Sequence, residues 1–372
     1  MAKYEIKDGV GIIPEGTTEI EYNAFKDCKE LTNVVIPNSV KCIKAWAFTR
    51  CTGLSSIVIP DSVTEIGTEV FDGCTGLTNI VIPDSVTGIG KNAFSHCTGL
   101  TSITVSKGNK IYDSRDNCNA IIETETNKLI VGCAHTVIPD SVTEIGNAAF
   151  YGAGLTSIVI PNSVSQIDSY AFYRCTGLND IVIPESVTII KNSTFNGCTG
   201  LTSFIIPDSV TLIGAEAFKG CSLTSIIIPD SVTTIGEDAF VRVGLTDIVL
   251  GNSVKDILSG SFKDTKITSI VIPESVKKIE EDAFAYCANL KSVVILAKLN
   301  KIGYAAFKDC TSLETVTLPA GIKAIVNNAF DGCTALKTIN VPAKKGDYYR
   351  QRLPESLHSL IVELPAEKKT KK

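Results

Sequence analysis

Long apolar runs are missing from this chain of 372 residues. No stretch of about 18 uncharged apolar residues occurs, so no segment is expected to span a membrane. The first residues, MAKYEIKDGVGIIPEG, lack the apolar core of a secretory signal. As given, the chain is therefore expected in the cytoplasm. As the mature part of a longer protein it would be secreted or surface-exposed, and the sequence leaves both interpretations open.

An excess of positive charge is also missing. The chain has 35 Lys and Arg residues against 40 Asp and Glu residues, which gives a net charge of −5. Proteins that bind nucleic acids carry a basic stripe or patch, so no nucleic-acid partner is expected. The dense basic cluster at Lys368, Lys369, Lys371 and Lys372 predicts a disordered basic tail over residues 367–372.

Catalytic and metal-binding motifs are absent as well. The three histidines, His96, His135 and His358, are far apart in the sequence, and no nucleophile elbow, Gly-rich phosphate loop or H-E-x-x-H occurs. No C-x₂-C pair suggests zinc. We therefore expect no enzymatic activity, no catalytic residues, no cofactor and no metal site.

What is present is a repeat. Thirteen phenylalanines recur every 22 or 23 residues, with one gap of 56 residues. They are Phe25, Phe48, Phe71, Phe94, Phe150, Phe172, Phe195, Phe218, Phe240, Phe262, Phe284, Phe307 and Phe330. Such a period is the signature of a solenoid, in which each repeat forms one rung.

One full rung covers residues 54–76, LSSIVIPDSVTEIGTEVFDGCTG, and its columns are counted from Leu54. Columns 1, 4, 6, 10, 13, 18 and 21 are apolar. The alternation in SSIVI predicts a half-buried first strand, which Pro60 ends because proline has no donor. The segment around Ile66 predicts a short second strand, and the residues around Phe71 a helical or 3₁₀ turn.

Single rungs cannot bury these columns, but stacked rungs can. The sequence therefore predicts a β-rich α/β solenoid: a curved leucine-rich-repeat stack with a parallel β-sheet on the concave face and short strands or 3₁₀ turns on the convex side. We expect about 14 rungs over residues 1–342. A C-terminal cap is expected over residues 343–366, with a short helix at GDYYRQRL and with Leu357, Leu360 and Val362 in columns 1, 4 and 6.

The pattern LTxIxIPxSVxxIGxxAFxxC resembles the BspA-like leucine-rich repeat of bacterial and some protist surface proteins. Residues 77–97, LTNIVIPDSVTGIGKNAFSHC, and 201–221, LTSFIIPDSVTLIGAEAFKGC, show it clearly. The resemblance covers about residues 10–342. It implies a right-handed curved solenoid with a binding role, such as adhesion to host matrix proteins like fibronectin or engagement of innate receptors. This chain shows no cell-wall sorting signal, which departs from that surface role.

The 56-residue gap contains one atypical rung at about residues 106–136, which has no Phe. Two β-prone segments, Ala120–Glu123 and Lys128–Val131, flank a polar turn and predict a hairpin. The insert is interpreted either as a tolerated long rung or as a loop that contacts a ligand.

Two columns with chemically interesting residues have simpler explanations. Ten of the thirteen cysteines share column 21, but Ala153, Val243 and Thr265 fill it elsewhere. The column therefore selects a small buried side chain rather than a disulfide or a metal ligand. Column 8 is acidic in many rungs, yet Asn38 and Asn162 serve there too, which indicates turn chemistry rather than a calcium ladder.

Column 5 should point away from the core and is β-branched. These residues form an apolar stripe that both favours the sheet and suggests an interaction surface. The candidate binding residues there are Val58, Val81, Val159, Val182, Ile205, Ile227, Val249 and Val271. Trp46, and Tyr112 and Arg115 in the insert, are added because these residue types are enriched in binding hot spots.

The leading hypothesis is a non-enzymatic protein-binding module, adhesin-like or ligand-binding, that uses the concave sheet face and the inserted rung. Its partner would be a host matrix or receptor protein, or an intracellular protein. We expect a monomer. The alternative is a structural scaffold subunit that associates with itself.

Overall fold

The computed structural model describes residues 3–366, so the predicted basic tail lies outside the described residues. Within them the chain divides into two compact units. Unit 1 comprises residues 3–187 and 194–201, and unit 2 comprises residues 188–193 and 202–366. Each unit is a parallel-strand β-solenoid of stacked coils with little helix, as the repeat predicts.

Unit 1 is built from short strands, numbered here in chain order. They are β1 (Glu5–Lys7), β2 (Val10–Ile12), β3 (Glu19–Ile20), β4 (Asn33–Val35), β5 (Cys42–Ile43), β6 (Glu65–Ile66), β7 (Asn79–Ile82), β8 (Gly88–Ile89), β9 (Ser102–Val105), β10 (Tyr112–Asp113), β11 (Ala120–Glu123), β12 (Lys128–Gly132), β13 (Glu144–Ile145), β14 (Ser157–Val159), β15 (Gln166–Ile167) and β16 (Asp180–Val182). A 3₁₀ turn covers Arg115–Asn117.

Unit 2 continues the same alternation of a longer first strand and a two-residue second strand. Its elements are β17 (Ile189–Ile190), β18 (Leu212–Ile213), β19 (Ser225–Ile227), β20 (Thr234–Ile235), β21 (Asp247–Val249), β22 (Asp256–Ile257), β23 (Ser269–Ile272), β24 (Lys278–Ile279), β25 (Ser292–Ile295), β26 (Lys301–Ile302), β27 (Thr315–Thr317), β28 (Ala324–Ile325), β29 (Thr338–Val341), α1 (Gly346–Arg350) and β30 (Ile361–Glu363). A 3₁₀ helix, Glu355–Leu360, precedes β30.

The strands pair in register with the equivalent columns of the next rung. First strands pair in parallel, as in β7 with β9, and second strands form their own parallel ladders, as in β3-β5-β6-β8. Burial alternates along each first strand, so Ile80 and Ile82 are buried while Val81 is 52 % exposed. Alternating burial is the physical reason for the column pattern, because successive side chains of a strand point to opposite faces.

The phenylalanines stack into ladders inside each unit. The ring centroids of Phe25 and Phe48 lie 5.5 Å apart, and those of Phe48 and Phe71 also 5.5 Å. In unit 2 the rings of Phe218 and Phe240 lie 5.2 Å apart. These offset-stacked aromatic contacts form the centre of a core that the Leu, Ile and Val columns complete.

The Phe-bearing turn has a backbone conformation that the sequence analysis did not predict. The predicted turn is present, but residues in columns 16 and 20 have left-handed φ angles, such as 62° at Trp46 and 58° at Arg50. Alternate N–H groups therefore point in different directions. Ala47 N–H closes a turn onto the Lys44 carbonyl, while Phe48 N–H donates to the Val70 carbonyl of the next rung at 3.0 Å. The Phe-bearing turns of neighbouring rungs are thus joined by their own ladder of backbone hydrogen bonds.

The atypical rung contains the predicted hairpin. Strands β11 and β12 pair antiparallel, and β12 then pairs in parallel with β13 of the following rung. The sequence did not reveal β10, which pairs antiparallel with β11 and adds a third strand to the insert.

The terminal elements are present as expected, but the last strand is shifted by one residue from its predicted register. The predicted helix is α1. The final strand β30 pairs with β29 so that Ile361, Val362 and Glu363 face Ile339, Asn340 and Val341. The placement of Val362 in column 6 is therefore wrong by one residue: it lies in column 5. At the other end, β1 forms an antiparallel pair with β2.

Candidate functional site

The outward-facing residues of column 5 in unit 1 form a row of exposed β-branched side chains. Val58 is 77 % exposed, Val159 is 82 % and Val182 is 70 %. Their neighbours two residues earlier, such as Ser157 and Asp180, are exposed and polar. We call the exposed column 5 residues of each unit its valine face.

Unit 2 has a valine face of the same character. Its exposed residues include Ile205 at 85 %, Ile227 at 68 %, Val249 at 58 % and Val271 at 53 %. Exposed apolar residues repeated over several neighbouring rungs form a patch within a unit, which isolated surface apolar residues do not. A shallow depression on this face is lined by Val249, Val271 and the exposed Leu296.

Trp46 does not lie on the valine face. It occupies column 16, in the Phe-bearing turn, and is 38 % exposed. Its Nε1–H donates to the Glu69 carboxylate at 3.2 Å, and its ring lies 6.4 Å from that of Tyr22. Trp46 is therefore an accessible aromatic, but on a different side of the rung from the valines.

The interpretation of Tyr112 as a surface aromatic is wrong. Its side chain is 6 % exposed, and Tyr112 N–H donates to the Asn109 side chain at 2.9 Å. Burial raises the pKa of its phenol. Tyr112 packs in the core because it begins the inserted strand β10, where a regular rung has a buried isoleucine.

Arg115 is partly exposed but engaged inside the insert. Its guanidinium forms a bidentate pair with Asp113, with an Nε–Oδ1 distance of 2.7 Å, and donates to Asn127 Oδ1 at 2.7 Å. Although burial acts to raise the pKa of Asp113, hydrogen bonds from Arg115 and Thr124 lower it below its ordinary value. The side chain thus braces the insert, and its charge is already matched.

The cysteine column makes a contact that packing alone does not explain. Cys51 Sγ donates to the Phe25 carbonyl at 2.9 Å, and Cys74 Sγ to the Phe48 carbonyl at 3.0 Å. Each thiol thereby satisfies the backbone of the preceding rung. Burial raises the pKa of the Cys74 and Cys97 thiols well above the ordinary value, so they stay protonated and unreactive at neutral pH.

The acidic column does not gather into a metal centre. In the part of the chain that the structure describes, no group of three or more His, Cys, Asp or Glu side chains is placed to hold a metal ion. Its members lie in turns: Asp230 Oδ1, for example, accepts from Asn252 N–H of the next rung at 2.7 Å. The contact illustrates the turn chemistry expected of this column.

A cleft of about 300 Å³ opens in unit 1 where the atypical rung lacks a Phe-bearing turn. We call it the Phe-gap cleft. Its walls come from the rung of Phe94, the rung of Phe150 and the insert, and its lining includes Asn92, Phe94, Tyr112, Ile130, Val131 and Phe150. Sequence analysis identified the missing Phe but did not predict a cleft.

Tyr151, which lines the Phe-gap cleft, belongs to a cluster of three tyrosines. Tyr151 packs edge-on against His96, with ring centroids 4.7 Å apart, and against Tyr173, also at 4.7 Å. Tyr170 lies 5.7 Å from Tyr173, and the Arg174 guanidinium lies 5.4 Å from the Tyr173 ring. Tyr and Arg are residue types that dominate binding energy at interfaces.

The comparisons with known proteins agree with this architecture. A family model described as the BspA type leucine rich repeat region matches residues 11–124, 131–246 and 239–349. The chain belongs to this family. The BspA-type repeat thus accounts for the succession of similar rungs along the chain. A search of the curated proteins finds no match.

Solved leucine-rich repeat proteins resemble the chain at low identity. One from Eubacterium ventriosum ATCC 27560 is 24 % identical with a TM-score of 0.52, covering 87 % of this chain and 82 % of that chain. One from Bacteroides ovatus ATCC 8483 is 24 % identical, with a TM-score of 0.47 and coverages of 96 % and 92 %. A leucine rich cell surface protein from Faecalibacterium prausnitzii A2-165 is 26 % identical, with a TM-score of 0.45 and coverages of 86 % and 81 %. The first likeness shows the fold.

Among the described residues, the structure has no helix that is long and apolar enough to cross a membrane.

Proposed function

We propose that this BspA-type repeat protein is a non-enzymatic binding module that engages a protein partner through its valine faces. The observation that carries the proposal is the repeated exposure of β-branched residues, for example Val58 at 77 % in unit 1 and Ile205 at 85 % in unit 2. Burying such a row against a partner would stabilise the complex by roughly 25 cal/mol for each Å² of apolar surface removed from water. The adjacent exposed Ser, Asn and Asp side chains would supply the polar rim that protein interfaces have.

The family supports a binding role of the adhesin type, with a host matrix or receptor protein as partner. An intracellular protein partner fits the same surface chemistry. The inserted rung adds little to this face, because Tyr112 is buried and Arg115 is paired within the insert.

The test is a matched pair of charge insertions in unit 1. The double variant Val159→Glu/Val182→Glu alters two neighbouring residues of the valine face, which pair across β14 and β16. The control Thr143→Glu/Ser165→Glu alters two exposed residues beside the second strands β13 and β15. Binding to immobilised fibronectin and to a panel of purified matrix proteins is measured by surface plasmon resonance.

We expect the valine-face variant to lose at least about tenfold in affinity and the control to bind like the parent protein. Equal loss in both variants, or binding that neither variant changes, would contradict the proposal. The absence of binding by the parent protein to every matrix protein would remove the adhesin form.

Self-association is the alternative use of the same surfaces. Strand β1 pairs beside β2 in unit 1, and β30 with α1 lies beside β29 in unit 2, so the outermost repeat strands at those ends are covered. We therefore propose a monomer. Sedimentation that reveals a growing oligomer as concentration rises, abolished by Val159→Glu/Val182→Glu, would favour the scaffold instead.

A further inference from the structure

The Phe-gap cleft is wedge-shaped because two rungs of unit 1 touch at one end only. At the narrow end, His96 N–H donates to the Tyr151 carbonyl at 2.9 Å, as between regular neighbouring rungs. At the wide end, β10, β11 and β12 are added to the sheet ahead of β13. The insert passes from Val131 through Gly132 directly into Cys133, so it contributes strands but no Phe-bearing turn.

This missing turn leaves hydrogen-bond donors without acceptors. In the regular rungs, N–H groups of columns 16 and 18 donate to the next rung: Glu69 to the Lys91 carbonyl at 3.0 Å, and Phe71 to the Ala93 carbonyl at 2.8 Å. Asn92 and Phe94 hold these columns in the next rung, and among residues 3–366 their N–H groups have no acceptor. Buried backbone donors without partners are rare in folded proteins.

A side-chain hydroxyl beside the cleft also lacks a hydrogen-bond acceptor. Thr49 Oγ1, in column 19, donates to the Glu69 carbonyl of the next rung at 2.6 Å. Ser95 occupies the same column in the Phe94 rung and is 5 % exposed, yet its hydroxyl has no partner in the described part of the chain. The carbonyls of this rung are in use, since Lys91 and Ala93 accept from the preceding rung. The open edge therefore consists of donors and requires a ligand that presents acceptors.

The apolar surroundings indicate what else the ligand must carry. Phe94 stacks on Phe71 at 5.3 Å on one side, and the described residues place no aromatic ring in stacking contact on the other. Ile130 and Val131 of the insert are half-buried and line the cleft. In a regular rung this place holds a phenylalanine, and the two acceptor carbonyls belong to the residues one and three positions before it.

We propose that the Phe-gap cleft binds a short peptide segment of a partner protein that carries an aromatic side chain. Two main-chain carbonyls of the segment accept from Asn92 and Phe94 N–H, and its ring packs against Phe94, Ile130 and Val131. The donors follow the backbone spacing of the regular ladder, in which Lys91 and Ala93 accept, so they suit two alternate carbonyls of a peptide, as when a strand is added to an exposed sheet edge. The cleft volume of about 300 Å³ limits the bound part to a few residues.

The experiment uses the full chain and a peptide taken from its own regular rung. The probe is acetyl-TEVFDG-amide, residues 68–73, and its control replaces Phe by Ala. Amide exchange is followed by NMR at Asn92 and Phe94, with Phe71 and Phe172 as internal references whose N–H groups are hydrogen-bonded. We expect Asn92 and Phe94 to exchange at least about 100-fold faster than the references in the free protein.

On adding the probe, exchange at Asn92 and Phe94 should slow by at least about tenfold, whereas the Ala peptide should leave it unchanged. The variant Val131→Glu should weaken probe binding at least tenfold, while Thr126→Glu, in the exposed hairpin turn, should not. If Val131→Glu does not fold, the two peptides on the parent protein decide. Slow exchange at Phe94 in the free protein, no binding at millimolar probe, or equal binding of both peptides would overturn the proposal.

Discussion

The rung of Phe71 and the rung of Phe94 share the same apolar columns and have different surroundings. Phe71 is fully buried between two stacked rings, and its N–H group is paired. Phe94 has one stacked ring, is 6 % exposed and has an unpaired N–H. A repeat is therefore completed by its neighbour: a phenylalanine in the same column is part of a closed core in one rung and lies at an open edge in the next.

The largest effect should come from truncating these two rings. Phe71→Ala should lower the free energy of unfolding by about 4–5 kcal/mol, because it leaves a cavity between two rings. Phe94→Ala should cost about 1 kcal/mol less, since its cavity opens toward an existing cleft. Chemical denaturation of both variants measures the difference. Equal costs would show that the Phe-gap cleft is closed in solution.

The insert should be intolerant of added volume where it meets Phe150. A Cβ atom on Gly132 would lie 2.0 Å from Cε1 of the Phe150 ring, so the ring or the backbone of the insert would have to shift. Gly132→Ala should therefore destabilise the protein by about 1–3 kcal/mol. The control is Gly321→Ala in unit 2, where nothing lies within 4 Å of the added atom, and it should stay within about 0.5 kcal/mol. A harmless Gly132→Ala would mean that the insert packs differently.

The loss of stability at alkaline pH should differ between the thiol of Cys118, in the insert, and that of Cys74, in a regular rung. Burial raises the pKa of Cys118, in the insert, to about 11, and that of Cys74 further. A pKa raised on folding gives stability that is complete below the unfolded value, near 9, and is lost as pH rises. Cys118→Ala should flatten the decline between pH 9 and 11 by up to about 1.4 kcal/mol per pH unit.

Cys74→Ala should flatten the decline over a wider alkaline range, because its folded pKa is higher. Denaturation curves from pH 8 to 11 give these slopes. Slopes identical to that of the parent protein would show that neither thiol ionises on unfolding.

The smallest effects should occur on the valine face. Val137, in column 5 of the segment that follows the insert, is 71 % exposed, and Val159, in the next rung, is 82 % exposed. Changing either to Thr keeps the β-branched shape and should alter the free energy of unfolding by less than about 0.5 kcal/mol. A larger cost at Val137 than at Val159 would show that the insert disturbs this face as well as the Phe side.

Much of the fold follows from column periodicity alone. Alternation predicts the buried Ile80 and the exposed Val81, and the two apolar segments around a polar turn predict the β11–β12 hairpin. These features depend on local patterns that repeat with period 2. The family resemblance is confirmed by the match over most of the chain.

The Phe-side ladder and the cleft could not be predicted in the same way. Left-handed φ angles at Trp46 or Glu69 have no local sequence signal, because the usual markers are Gly, Asn and Asp. The frequent Gly and Asp of column 20, such as Gly73, were a signal that the sequence analysis did not use. The register of β30 was ambiguous because Leu360, Ile361 and Val362 are consecutive apolar residues, and a one-residue shift exchanges the faces. The cleft depends on how neighbouring rungs contact each other, and the sequence of a single rung does not contain that information.

The covered end strands have a consequence for growth of the stack. A parallel coil presents the same template at its last rung as at every earlier one, so each uncovered end would act like the growing end of a polymer. The antiparallel partner of β2 reverses the strand direction there, and the charged residues Glu5 and Lys7 stand on it. Strand β1 therefore occupies the edge of β2 that another parallel rung would use, and we expect that removing it would expose this edge to pairing with a second copy.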